Sequence, residues 1–353
     1  MSRLLVFRSR TFALLGITMA LQAGSPPVWA GEVADSLSRE VRAVFEQCQG
    51  AVVKIEATDK TGQRSGTGFF IGPNGTLLTS FSVGGEGRDF VVISADNTRT
   101  PARCLLADAR AGIALLKAEN SSNRPTSFLP LAKAPELSVA TPVVTVAYPM
   151  DMPLTPSFGM VAGFDLKYLG RYFATQHIRA SVPVQRGEGG APLLNMKGEV
   201  VGVIISSIDN GSACFALPVE AVQKIYHDYE RYGEVRPGWL GVMVTTSPNS
   251  EQGSTAQIER LEVNAPAIQA GLRPGDLLLK IGERMIKSPE DVLNASFFLT
   301  VGEATPVVVW RDGKTITFEA QPAERAECER RLSGLQVIPA GSAPTEDMTI
   351  RLH

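Results

Sequence analysis

Histidine is nearly missing from this sequence. The 353 residues contain three, His177, His227 and His353, and none stands in the first half. An excess of one charge is missing too: 34 Lys+Arg face 36 Asp+Glu, a formal net charge of −2. Nucleic-acid binding rests on neutralising phosphates with a basic surface, so this balance argues against nucleic acid as a partner. Aromatic residues are scarce, at 7%. The four cysteines, Cys48, Cys104, Cys214 and Cys328, are widely spaced without any CxxC pair, which argues against a zinc site. The glycine-rich run Gly187–Gly190 lacks the Lys-Ser/Thr ending of a phosphate-binding P-loop. No cofactor and no metal are expected. Long apolar runs are also absent: Thr11–Ala23 falls short of the roughly 20 residues that a spanning helix requires.

What is present is ordinary globular material. Apolar residues make up 44% and charged residues 20%, enough to build cores and to exclude whole-chain disorder. At roughly 100–200 residues per domain, the length predicts about two domains. The first thirty residues read as a secretory signal: Arg3, Arg8 and Arg10, then the short apolar stretch, then Val28-Trp29-Ala30 with small residues where a signal peptidase reads. Cleavage after Ala30 and an exported, periplasmic protein are expected; the alternative is a tether to the inner membrane by an uncleaved signal. Export permits disulfides, but four cysteines allow three complete pairings and the sequence does not choose. Small buried apolar roles are expected for Cys104 and Cys214.

Ala34–Cys48 has apolar residues at Leu37, Val41 and Phe45 and predicts a helix. Short β-rich runs follow, at Val52–Ala57, Gly66–Ile71, Thr76–Thr79, Phe90–Ser94, Ala102–Ala107 and Ile113–Lys117. After the polar stretch Glu119–Thr126 they resume at Pro142–Ala147, Ser157–Phe164, His177–Val182, Ala191–Leu194, Val200–Ile205 and Ala213–Leu217. Strands at this spacing, punctuated by Gly, Pro, Asn and Asp, predict an all-β barrel or sandwich. Pro218–Tyr232 reads as a helix opened by proline. Gly233–Gly238 marks a boundary. The smaller unit beyond it has a strand at Leu277–Ile281, a helix opened by Ser288-Pro289-Glu290-Asp291, and a hairpin turning on Asp312-Gly313. The segment 325–353 reads as a largely mobile tail.

These motifs in this order resemble the HtrA-type trypsin-like serine proteases. Thr67-Gly68-Phe69-Phe70-Ile71 through Leu77-Leu78-Thr79 resembles the first barrel of that family. Gly187-Glu188-Gly189-Gly190-Ala191-Pro192-Leu193-Leu194-Asn195 resembles its nucleophile loop. Phe215-Ala216-Leu217-Pro218, a helix, and Gly238-Trp239-Leu240-Gly241-Val242 resemble its junction into a PDZ domain, and Ala270-Gly271-Leu272-Arg273-Pro274-Gly275-Asp276 the PDZ interior. The resemblance implies a mainly β chain: a trypsin-like double β-barrel (31–233, after a signal peptide 1–30) followed by an α+β PDZ domain (239–324).

The family's chemistry needs a Ser nucleophile, a His base and an Asp that orients the His. Where the resemblance places His, this chain has Ser82; where it places Asp, Gly112; where it places Ser, Gly189. Asp108 lies four residues before Gly112, and a slip to use it would break strand pairing. Glu188 beside Gly189 is a poor nucleophile and brings negative charge to the place where an oxyanion must form. His177 reads as a packed or surface strand residue and His227 as a solvent-facing helix residue. No catalytic residues are expected.

The PDZ-like unit keeps its pattern. The resemblance implies that an extended peptide adds to a sheet edge while backbone amides capture its terminal carboxylate. The expected site is Trp239, Leu240, Gly241 and Val242, with Leu293 and Phe297 on the facing helix, and the polar segment Thr245–Thr255 shielding or widening the groove. The reading is an HtrA-like pseudoprotease binding protein or peptide C-termini and unfolded envelope proteins, as adaptor, chaperone or regulator; a homotrimer is the assembly that the family implies. The competing readings are an envelope serine endopeptidase that retains activity through other residues, and a decayed paralogue without a ligand.

Overall fold

The computed structural model describes residues 28–85, 87–119, 126–248, 252–324 and 350–351. The expected signal segment lies outside these residues except for its last three positions, which open helix α1 (Val28–Cys48). Among the described residues no helix is long and apolar enough to cross a membrane. The last turns of α1 bury Val44 and Cys48, with Val41 and Phe45 packed beside them, whereas Leu37 is exposed.

Six strands close the first barrel: β1 (Val52–Asp59), β2 (Gly62–Phe70), β3 (Thr76–Ser80), β4 (Arg88–Ile93), β5 (Arg99–Asp108) and β6 (Ile113–Ala118), in the order β1-β2-β3-β6-β5-β4. A short helix α2 (Phe81–Gly84) follows β3. A second barrel repeats this order with β7 (Pro142–Ala147), β8 (Thr155–Tyr168), β9 (Arg171–Ala180), β10 (Pro192–Leu194), β11 (Val200–Ile208) and β12 (Ala213–Pro218). Period-two alternation divides the apolar residues. Along β1, Val53, Ile55 and Ala57 fill the barrel interior, while Val52 faces the seam between barrels. That seam is closed by Phe69, Leu78, Ile113, Val144, Leu194 and Val200, and by the buried face of helix α3 (Val219–Tyr232). Burying each such Leu, Ile or Phe contributes about 1.5–3 kcal/mol.

Cysteine placement departs from expectation at one position. Cys214 is buried, but Cys104 is exposed. A register shift between Cys104 and Leu106 in the β5–β6 pairing is the cause. The bulge breaks the alternation, so Leu105 and Leu106 both pack on the core while Cys104 is left outside. Cys48, Cys104 and Cys214 are free thiols; Cys328 lies outside the described residues.

The third unit contains β13 (Gly238–Trp239), β14 (Val242–Thr246), β15 (Ala256–Leu261), α4 (Pro266–Gln269), β16 (Leu277–Ile281), β17 (Arg284–Met285), α5 (Pro289–Phe297), β18 (Thr305–Arg311), β19 (Lys314–Ala320), β20 (Ala323–Glu324) and β21 (Ile350–Arg351). The main sheet runs β19-β18-β16-β15-β14-β21. The β18–β19 turn has φ of 50° at Asp312 and 76° at Gly313, the two left-handed positions that an Asp-Gly hairpin supplies. Helix α5 starts in a capping box: Ser288 caps the Asp291 amide while Asp291 receives the Ser288 N–H at 2.9 Å. Of the expected tail, only β21 belongs to the described residues.

This unit is fastened to the second barrel. Asn294 of α5 is buried, and its Oδ1 accepts from Thr175 Oγ1 (2.7 Å) and from the Gln176 N–H (3.0 Å) of β9. Tyr232 Oη donates to the Val301 carbonyl at 3.0 Å, and Arg231 pairs with Glu303. The Arg284 guanidinium lies 3.4 Å from the Phe298 ring centroid.

Candidate functional site

Two places in the molecule follow from the sequence, the cleft at Ser82, Gly112 and Gly189 and the edge of β14. The first is assembled by backbone. Gly112 turns β5 into β6 with φ of 76°, and its carbonyl receives the Phe81 N–H at 2.8 Å, which fixes the start of α2 and with it Ser82. The Gly187–Gly190 loop is fastened to β2: the Thr67 N–H donates to the Gly189 carbonyl (3.1 Å) and Thr67 Oγ1 to the Gly187 carbonyl (2.9 Å). Thr67 Oγ1 in turn receives the Tyr148 N–H at 3.0 Å. Gly190 has φ of 90°, and a Cβ there would stand 2.3 Å from the Thr67 carbonyl oxygen, so only glycine fits. A Cβ on Gly189 would stand 3.1 Å from Ser80 Oγ and 3.7 Å from Ser82 Oγ. Ser80 and Ser82 bond to each other at 2.8 Å. The three positions are thus drawn together, and the two hydroxyls at their centre bond to each other. Thr67, which organises the loop, was not singled out from sequence; nothing separates it there from other strand threonines.

The charged and imidazole groups that could have served this cleft are engaged elsewhere. Asp108 is buried, and its carboxylate takes the Arg110 amide (2.9 Å) and guanidinium (3.0 Å). Glu188, expected to carry charge toward the reacting position, is buried with 2% exposure. Its carboxylate accepts the Gln185 N–H, burial raises its pKa, and its charge helps to raise that of Cys214. Burial itself is the larger cause at Cys214, pushing that thiol up to about 12, and it pushes Cys48 to about 11. Both thiols are inert as thiolates. His177 is buried, donates from Nδ1 to the Thr175 carbonyl at 2.7 Å, and stacks on Phe173 with centroids 4.2 Å apart. Burial lowers its pKa to about 4, so the ring is neutral at neutral pH. His227 is exposed on α3, 4.0 Å from Glu303. Among the described residues no group of three His, Cys, Asp or Glu side chains is arranged to hold a metal.

At the second place, Trp239 pairs with Ala323 and the chain turns at Gly241 into β14. Gly241 has φ of 74°, and a Cβ there would stand 2.3 Å from the Ala265 Cβ and 2.9 Å from the Trp239 ring. Its carbonyl receives the Glu262 N–H (2.9 Å), and that of Leu240 the Ala267 N–H (3.0 Å). Leu240 and Val242 are buried in the core of this unit rather than bordering open space. The loop is therefore held rigidly from behind. Helix α5 packs on β14 with Val292 and Ala295 in the core. Phe297 does not stand with Leu293 as a groove wall: it packs against the apolar cluster of the barrels beside Phe298. The reason is the docking at Asn294, which turns that side of α5 to the barrel. Leu293 remains half-buried. The polar segment begins within β14, and the Ser247 N–H donates to the Thr255 carbonyl (2.7 Å); its residues 249–251 lie outside the described residues.

Comparison with known proteins agrees with this architecture. Residues 66–203 match the model of the trypsin-like peptidase domain, and residues 238–321 that of the PDZ domain. A probable periplasmic serine endoprotease DegP-like of Rhizobium meliloti (strain 1021) is 27% identical over 307 residues, covering 78% of this chain and 60% of the relative. Its counterpart from Pseudomonas fluorescens is 28% identical over 289 residues, covering 77% and 59%. The chain thus spans under two thirds of the length of these relatives. Among solved structures, an HtrA-type protease AlgW with tripeptide superposes with a TM-score of 0.66 at 21% identity, covering 81% of this chain and 97% of that one. Mainly β, the chain has a trypsin-like domain followed by one PDZ domain, the same arrangement as the HtrA-type protease structure on which it superposes.

Proposed function

We propose that this chain is an HtrA-like pseudoprotease of the cell envelope, acting as adaptor, chaperone or regulator through its PDZ domain. The observation that carries this is the assembled cleft itself. A Cβ on Gly189 would stand 3.7 Å from Ser82 Oγ, and the Gly112 carbonyl holds the start of α2; read as the Ser, His and Asp positions of a triad, these three residues supply no imidazole and no carboxylate. Among the described residues, no imidazole or carboxylate is hydrogen-bonded to the Ser80–Ser82 hydroxyl pair. Hydroxyl nucleophiles need such a base, because an unassisted serine is a weak nucleophile. The working domains are 31–233 and 239–324. The periplasmic description of the relatives supports an envelope location.

Binding falls to the second place. The rigid Trp239–Val242 loop and the edge of β14 offer main-chain groups to a peptide C-terminus or an unfolded segment, with Leu293 on the facing helix. Peptide recognition of this kind uses backbone hydrogen bonds for affinity and side-chain pockets for selectivity. The test is to expose the purified full chain to a fluorophosphonate probe and to labelled casein while titrating an apolar peptide with a free C-terminus. No labelling, no cleavage and saturable peptide binding are expected. Labelling of a serine whose Ser→Ala variant abolishes hydrolysis would instead establish the endopeptidase reading.

A further inference from the structure

Strand β14 has two edges. One is taken by β15, from Val242 opposite Leu261 to Thr246 opposite Ala256. The other is taken by β21: Met243 pairs antiparallel with Arg351, and Val244 with Ile350. This second edge starts directly after the Trp239–Val242 loop, on the strand that packs against α5. We propose that the segment at Ile350–Arg351 is an intramolecular occupant of the peptide-receiving edge of β14 and competes with external peptides for it. The inference rests on the reading of β14 as that edge.

The physical grounds are these. An open strand edge is a row of unused N–H and C=O groups that templates any strand brought to it. A segment of the same chain meets that edge intramolecularly, at an effective concentration that a dilute external peptide lacks. Two paired residues are few, so such an occupant is displaceable. The sequence suits the role. Thr349 and Ile350 are β-branched and favour strand, while Gly341 to Pro344 upstream offers turn formers. The outcome is a gate whose setting depends on ligand strength: with the edge open only a fraction of the time, the apparent dissociation constant is the intrinsic one divided by that fraction.

The test uses the full chain and two variants, Ile350→Pro and Arg351→Pro. Proline removes a ladder donor and clashes with continued pairing. Amide hydrogen exchange is followed at Met243 and Val244, and affinity for a free-acid apolar peptide is measured in parallel. In wild type the edge amides of β14 are protected. In at least one variant their exchange is faster by about tenfold, with β15–β16 unchanged, and peptide affinity rises by a similar factor. Equal protection in all three proteins overturns the proposal. So does lost protection with unchanged peptide affinity, which would leave pairing without competition. Protection that falls on dilution would assign the strand to a second copy and overturn the intramolecular form. If neither wild type nor variants bind any peptide, the receiving-edge reading fails and competition with it, while exchange still decides whether β21 covers β14.

Discussion

The inter-barrel cleft and the edge of β14 make opposite demands on a sequence. The cleft holds its shape through main-chain bonds from Thr67, Phe81 and Gly190, but hydrolysis there would need three particular side chains. The β14 edge holds its shape through Gly241, Ala265 and Ala267, and what it offers a ligand is itself main chain. A site made of backbone survives substitution as long as the fold does. A site made of side chains ends when one is exchanged. A protease scaffold can therefore outlast its side-chain chemistry, which is what the pseudoprotease reading requires.

The comparison breaks most visibly if the cleft can be re-armed in one step. Gly189→Ser alone should leave casein hydrolysis at background, and so should Ser82→His or Gly112→Asp alone. The triple variant should cleave, since triad members act as a unit and lacking the Ser or His costs on the order of 10⁶ in turnover. The left-handed backbone at Gly112 tolerates Asp better than most residues. Hydrolysis by any single variant would show that the cleft still has a hidden partner.

A second test asks whether the imidazole of the second barrel is structural. The pKa of His177 is lowered by burial from 6.5 to about 4. The unfolded chain therefore binds a proton between these values that the folded chain refuses. Stability is fully present above pH 6.5 and falls as pH drops toward 4, by about 3 kcal/mol from this group. Glu188, raised by burial, acts in the opposite sense in the carboxylate range, losing stability as pH rises. Subtracting the denaturation curves of wild type and His177→Gln between pH 4 and 7 isolates the first effect. A flat difference would mean an accessible ring and reopen its use as a base.

The smallest effect sharpens the other side. Amidating the C-terminus of a bound apolar peptide should weaken it about tenfold, since one charge-assisted hydrogen bond contributes about 1.5–3 kcal/mol. Equal affinities by calorimetry would show that the Trp239–Val242 loop does not receive the carboxylate. Gly241→Val is a poor substitute for this test. Its side chain would collide with Ala265 and Trp239 behind the loop before it met a ligand.

Much of the fold is legible in the sequence because its signals are local. Turn formers separate every barrel strand, Asp312-Gly313 fixes its hairpin, and Ser288 with Asp291 opens α5. Cys104 was misplaced because a bulge is invisible in an alternating pattern. Phe297 and Leu293 share a helical face by spacing, but the barrel, distant in sequence, draws Phe297 away. The strand pairing of Ile350 with Val244 had no local signal either. What sequence reading lacked throughout was contact between segments far apart in the chain, not chemistry.

Asn294 joins two such segments, and it acts as a splint. One oxygen on α5 is held by two donors of β9, and α5 also packs on β14. A tilt of α5 that widened the space over β14 would take the acceptor from the buried Thr175 hydroxyl, at about 1–3 kcal/mol, and from the part-buried Gln176 amide. The width of the PDZ groove is thus set by a barrel strand outside the domain. The barrel serves as a rigid frame whatever its chemistry, and the same PDZ residues freed from it would hold α5 less firmly over β14.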